Sequence, residues 1–268
     1  MRGKPCEKVH RISETHVNRE EEFVINVLIS IGLTAYKIEE DNESKTPDIL
    51  VESDNSKILI EVKTKFDNPN YEANKNERLI NGEIVFESMD SKRKNTFSSI
   101  IKDACEQLRA KKDIADYYIL WLMVSNSEVE ITMKRFYSTL YGSVDVLDWG
   151  KAEKKLRPCF FFENSEFYNH KDILDGAVVS NYEKSIFCIN NLSDNYPTIL
   201  NTKIVDFFKD SLIDPISYEK NQAGYIIDSE IDRKNGKEVI KYLQKKYNNK
   251  KLIECNLEQH TATIHIKK

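Results

Sequence analysis

The sequence predicts an α/β protein, and three observations carry that expectation. Apolar residues recur at helical spacing in two segments, from about 16 to 31 and from about 95 to 110. Between them, "TAYKIEE", "PDILVE" and "KILIEVKT" read as short strands. After the second stripe comes "DYYILWLMV", an apolar run of the kind buried on both faces of a sheet. The expected core is therefore a helix, a three-strand antiparallel meander, a second helix and a further strand.

Each element has its own signal. In the first helix Val17, Phe23, Val24, Val27, Leu28 and Ile31 fall on one side, and Gly32 is placed to end it. The turn-forming "SDNS" separates the second and third strands. A polar stretch from about Phe66 to Asn95 follows, with "EIVFESM" as a short strand. In "TFSSIIKDACEQLRAKK" the residues Phe97, Ile100, Ile101, Ala104, Cys105 and Leu108 form the apolar stripe, and Ser98 or Asn95 is the expected cap. Beyond Ser125, "GAVVS" and "SIFCINN" read as strands, "KEVIKYLQKKY" as a helix, and "KLIECNL" with "TATIHIKK" as a terminal hairpin. The expected organisation is an N-terminal segment (1–15), a main domain (16–190) and a C-terminal α/β extension or small second lobe (191–268).

Composition narrows the function classes. The chain has 268 residues, is 40% hydrophobic and carries a net charge of -4, which fits a globular protein and argues against indiscriminate coating of nucleic acid. No run approaches transmembrane length and the first residues lack a secretory apolar core, so a soluble cytoplasmic protein without membrane contact is expected. The five cysteines are scattered with no CxxC pair, which suggests buried free thiols rather than disulfides or a zinc site. Neither a phosphate-binding glycine loop nor a GxSxG elbow is present, and the histidines lack ligand spacing; His16 reads as a packed or capping residue. Tyr117, Tyr118, Trp121 and Phe160 to Phe162 read as core aromatics rather than base-stacking surfaces.

The unusual feature is charge inside apolar strands. A two-residue turn at Asp54-Asn55, or a four-residue loop about the same centre, places Leu50 opposite Leu59 and Asp48 opposite Glu61. Opposed residues have Cβ atoms ~5 Å apart, and like charges there are destabilising unless a cation joins them. Alternation puts Lys63 on the same face, while Ile58, Ile60 and Val62 point the other way. Two carboxylates and the Val62 carbonyl suit a hard cation such as Mg²⁺ or Mn²⁺, and a neighbouring lysine can position a water or balance a phosphate.

Pro47-Asp48 followed by Glu61-Val62-Lys63 resembles the PD-(D/E)XK nuclease superfamily, over roughly residues 16–125. Other acid-x-Lys triplets occur, such as Asp90-Ser91-Lys92, but none lies in an apolar run with a Pro-Asp strand before it. The resemblance implies a restriction-endonuclease-like core and metal-dependent hydrolysis of phosphodiester bonds, in DNA rather than RNA. It implies metal ligation by Asp48, Glu61 and Val62, with Lys63 positioning the attacking water. Members commonly carry a glutamate on the helix before the meander; Glu20, on the stripe of Val24, Val27 and Ile31, is the first choice and Glu21 the next, with a solvated acidic first turn as the bland alternative. Ala104 and Gln107 match the A-x-x-Q-L helix of several nuclease families, in which the glutamine lies near the active site. A catalytically inactive nucleic-acid-binding or scaffold protein on the same fold is the alternative. Cutting both strands of a duplex would call for a homodimer, since each copy offers one site. The basic run from Arg233 to Lys251 is a further expected contact for a nucleic-acid backbone.

Overall fold

A computed structural model describes residues 18–39, 46–53, 56–126, 128–150, 152 and 154–266. Helix α1 (Arg19–Ser30) begins at Asn18, whose Oδ1 accepts from the Glu21 N–H (2.8 Å) while its Nδ2 donates to Glu21 Oε1 (2.7 Å). Gly32 ends the segment at a φ of 78°. The meander follows as β1 (Thr34–Lys37), β2 (Ile49–Ser53) and β3 (Ser56–Phe66), then α2 (Pro69–Ile80), β4 (Val85–Asp90), α3 (Asn95–Ala110) and β5 (Tyr117–Ser125). His16, Val17 and the Asp54-Asn55 turn centre lie outside the described residues.

The rest of the chain adds α4 (Val129–Tyr141), β6 (Val144–Asp148), β7 (Leu156–Phe160), α5 (Glu166–Asn169), β8 (Gly176–Ser180) and β9 (Ser185–Ile189). After these come α6 (Tyr196–Ile199), α7 (Lys203–Phe207), β10 (Leu212–Ile213), α8 (Pro215–Lys220), β11 (Tyr225–Ile226), α9 (Gly236–Lys246), β12 (Leu252–Glu254) and β13 (Glu258–Thr263).

The main sheet is mixed, in the order β1-β2-β3-β5-β8-β9-β10. The strands β1, β2 and β3 pair antiparallel, and β3, β5 and β8 run parallel at its centre. Helices cover both faces, and β3 is divided between them by alternation. Ile58, Ile60 and Val62 join Val24 and Leu28 of α1 in one core, whereas Leu59 joins Ile101, Ala104 and Leu108 of α3 in the other. In β5, Ile119 and Trp121 take the α1 side and Leu120 and Leu122 the α3 side, which is why the run lacks polar residues. The aromatics Tyr117, Tyr118, Trp121 and Phe160 to Phe162 are core residues.

Several expectations change. Every strand after residue 190 pairs with one before it: β10 with β9, β11 with β7, β12 with β6 and β13 with β4. The expected terminal hairpin of β12 with β13 is therefore absent among the described residues. The polar stretch contains a helix, α2, held to β4 by Lys75 (2.7 Å) and Tyr71 (2.6 Å), both donating to Glu87. Neither Ser98 nor Asn95 caps α3, because the helix starts at Asn95 itself and Ser98 Oγ instead accepts from Arg93 (3.0 Å). Gly142 ends α4 at a φ of 58°, with carbonyl oxygen of Glu163 2.4 Å from where a Cβ would stand, so both backbone conformation and close approach require glycine. Among the described residues no helix is long and apolar enough to cross a membrane.

Candidate active site

The β2–β3 register brings the charged residues together. Leu50 pairs with Leu59 and Ser53 with Ser56, the alignment that continues to Asp48 beside Glu61. Asp48 precedes the first ladder residue of β2, and its Oδ2 takes the Val62 N–H at 2.7 Å. The side chain thus replaces a backbone acceptor at the sheet's frayed corner, and Val62 is tied to the site through its amide.

Glu61 is almost wholly buried, 1% exposed, on the α3 side of β3. Its Oε1 is 2.6 Å from Lys63 Nζ, which also donates to Gln107 Oε1 (2.5 Å) on α3. Gln107 lies one helical turn after Ala104 and next to Leu108, at the edge of the packed stripe, and its amide overhangs the strand. Lys63 is therefore clamped between strand and helix.

Electrostatics at this corner are strained toward protonation. Burial, with the adjacent Asp48 carboxylate, pushes the Glu61 carboxyl up to about 8 against the pull of Lys63. Burial also raises Asp48, opposed by the Val62 N–H and reinforced by Glu21. Glu61 Oε2 is buried with no hydrogen-bond donor among the described residues. Asp48 can bond to it only when one of the two carboxyls carries a proton.

The glutamate that reaches this cluster from α1 is Glu21, not the first-choice Glu20. The buried face of the helix runs through Glu21, Val24 and Leu28, about 60° away from the phase that favoured Glu20. Glu20 instead accepts from the Tyr182 hydroxyl (3.2 Å). Glu21 Oε2 lies 2.7 Å from Lys37 Nζ, and both side chains are less than 10% exposed. Lys37 was not singled out from the sequence; its signal was the meander itself, since it pairs with Ile49, the neighbour of Asp48. Glu21→Ala should cost about 3 kcal/mol, because it breaks a buried ion pair, whereas Glu20→Ala should stay within about 0.5 kcal/mol. Urea unfolding midpoints of the two variants check this, and equal losses would refute the assignment.

Several basic residues are engaged in ion pairs at the surface of the fold. Arg93 pairs with Glu166 (2.7 Å), Lys94 with Asp90 (3.0 Å) and Arg109 with Asp172 (2.8 Å). In the C-terminal run Lys246 pairs with Glu219 and Asp228, and Arg233 donates to the Ser229 carbonyl. Helix α9 buries Val239 and Leu243 and leaves Lys237, Lys241 and Lys245 exposed, as its amphipathic pattern predicts.

Among the described residues no group of three or more His, Cys, Asp or Glu side chains is arranged to hold a metal ion. The Asp48–Glu61 pair nonetheless suits a hard cation, which needs only one or two carboxylates when water and phosphate oxygens complete its shell. The donorless Glu61 Oε2 and the raised carboxyls are what such a cation would relieve. Comparison of the chain with protein-family models, curated proteins and solved structures returns no match.

Proposed function

We propose that the protein is a metal-dependent nuclease of the PD-(D/E)XK type that hydrolyses phosphodiester bonds, with DNA as the substrate and Mg²⁺ or Mn²⁺ as the cofactor. One observation carries the reading: Asp48, Glu61 and Lys63 of the β2–β3 hairpin and Gln107, forty-four residues after Lys63 on α3, lie at one corner of the sheet. The order α1, β1–β2–β3, α3, β5 is the order that such a restriction-endonuclease-like core requires, with α2 and β4 inserted.

The residues divide the work as follows. Asp48 and Glu61 would hold the cation, with the Val62 carbonyl as a third ligand; Glu21, paired with Lys37, adds negative potential at Asp48 that a cation would offset. When bound, the cation supplies charge neutralisation and polarisation of a phosphate oxygen. Lys63 carries three N–H donors; Glu61 and Gln107 take two, which leaves one for the attacking water or a non-bridging phosphate oxygen. Gln107 is a positioning residue, because it touches Lys63 and fixes where that third donor points. Lys237, Lys241 and Lys245 offer phosphate contacts outside the corner.

Incubation of the purified protein with single- and double-stranded DNA and with RNA, in Mg²⁺, Mn²⁺ or EDTA, tests the reading. Divalent-dependent cleavage of DNA is expected. Salt-dependent DNA binding without cleavage in either metal would instead favour an inactive binding protein.

A further inference from the structure

The second sheet, in the order β11-β7-β6-β12, is covered unevenly. On one face Val146, Cys159 and Leu252 join Val239 and Leu243 of α9 in the core. On the other, Tyr137 of α4 and Tyr218 of α8 share a pocket with Asp145 and Pro158. One alternation further along that face stand Leu147 and Leu156, and the register sets Ile253, Leu147 and Leu156 side by side on three strands. Leu147 is half-buried, whereas Ile253 is 41% and Leu156 38% exposed. Trp149 follows the end of β6, where its N–H still donates to the Lys251 carbonyl (2.9 Å), and it is 57% exposed. The other tryptophan, Trp121, is wholly buried. An exposed tryptophan beside an apolar row is the kind of patch that marks an interaction site.

We infer that this end of the sheet binds single-stranded DNA, with a base stacked on Trp149. The surrounding charge favours a polyanion. Lys154 Nζ stands 3.8 Å from the centre of the Trp149 ring, Lys155, Lys250 and Lys251 are exposed, and the Lys251 chain lies across Gly150. The β6–β7 connection, residues 149–155, carries three lysines and one glutamate. Among the described residues, the carboxylates of β6 and β12 are engaged or turned away. Asp145 pairs with Lys134 (2.6 Å), buried Asp148 accepts from the Gly150 N–H and Asn249 Nδ2 (2.9 Å each), and Glu254 shares the α9 face with Val146. Stacking on an aromatic ring with lysines at the phosphates is the combination that holds single strands. A duplex hides its base faces and offers nothing to stack. Leu147, Leu156 and Ile253 have no group to bond a ribose 2′-hydroxyl and suit a thymine methyl, which favours DNA over RNA. This surface is on a different sheet from Glu61, and its binding does not depend on cleavage there.

Titration of the full chain in EDTA with oligothymidylate, followed by tryptophan fluorescence, tests the inference. Stacking should quench exposed Trp149 and leave the emission of buried Trp121 unchanged. With a labelled oligonucleotide, anisotropy should show Trp149→Ala weakening binding roughly 10- to 100-fold, and Trp149→Phe, which keeps a ring, much less. Lys154→Ala combined with Lys251→Ala should lower the salt slope by about 1.4, two phosphate contacts at ~0.7 each. EDTA removes the proposed cofactor, so a chain that cuts nothing can still bear this surface out, and one that cuts DNA can still refute it. Absence of quenching, affinity unmoved by Trp149→Ala, or tighter binding of oligouridylate would overturn it, as would a dimer that Trp149→Ala dissolves with no oligonucleotide bound.

Discussion

Lys63→Ala should lower metal-dependent DNA cleavage by roughly 10²- to 10³-fold, the loss seen when one donor aimed at developing negative charge is removed. Asp48→Ala and Glu61→Ala should lose at least as much, since each removes a proposed ligand. The motivation is geometric: Lys63 Nζ is held at 2.6 Å from Glu61 and 2.5 Å from Gln107, so its free donor has a fixed direction. Gln107→Ala should cost less by itself and add little in the Lys63→Ala background, because it acts through the lysine. Cleavage by Lys63→Ala at the wild-type rate would remove the lysine from the mechanism. Fully additive losses would remove the glutamine from its positioning role.

The second large effect is on stability. In EDTA the protein should become less stable as pH rises from about 5 to 8. The folded Glu61 carboxyl holds its proton up to about 8, whereas the ordinary value is 4.5, so folding takes up a proton between these limits. Linkage then makes stability fall with rising pH, by at most ~1.4 kcal/mol per unit for one proton. Raised Asp48 acts in the same direction. Glu61→Gln removes the titrating group and the repulsion, so in EDTA at pH 8 its melting temperature should exceed the wild type's by roughly 5 °C. At pH 5 the two should nearly coincide. Mg²⁺ should stabilise the wild type at pH 8 and leave Glu61→Gln unmoved, because a ligand stabilises only the state that binds it. Thermal unfolding across this pH range checks all three, and parallel curves for the two proteins would place Glu61 elsewhere than beside Asp48.

The parts of this site legible in sequence were those set by local geometry. Period-2 alternation placed Glu61 and Lys63 together, and the short turn set the register against Asp48, because both depend on neighbours in the chain. Gln107 was singled out by the resemblance of its helix to the A-x-x-Q-L pattern; its place at the edge of the α3 stripe by itself left open whether the amide faces the hairpin or water. Choosing Glu20 over Glu21 failed for the opposite reason. Three consecutive glutamates give the helix no internal preference, and the outcome was decided by Lys37, on a different element. Helix α2 escaped notice because its packing is polar, through Lys75 and Tyr71 to Glu87, and leaves no apolar stripe. The partners of β12 and β13 are β6 and β4, which lie more than a hundred residues away, and no local pattern encodes such pairings.

Crystals of the protein grown or soaked with Mn²⁺ test the central claim most directly, through the metal's anomalous scattering. The account predicts one strong peak within coordination distance of an Asp48 carboxylate oxygen and Glu61 Oε2, about 2.0–2.3 Å from each. It also predicts that the peak disappears in Glu61→Gln while the Lys63–Gln107 contact persists. A Mn²⁺ peak elsewhere with this corner left empty, or an Asp48–Glu61 pair that keeps a shared proton in saturating metal, would contradict it.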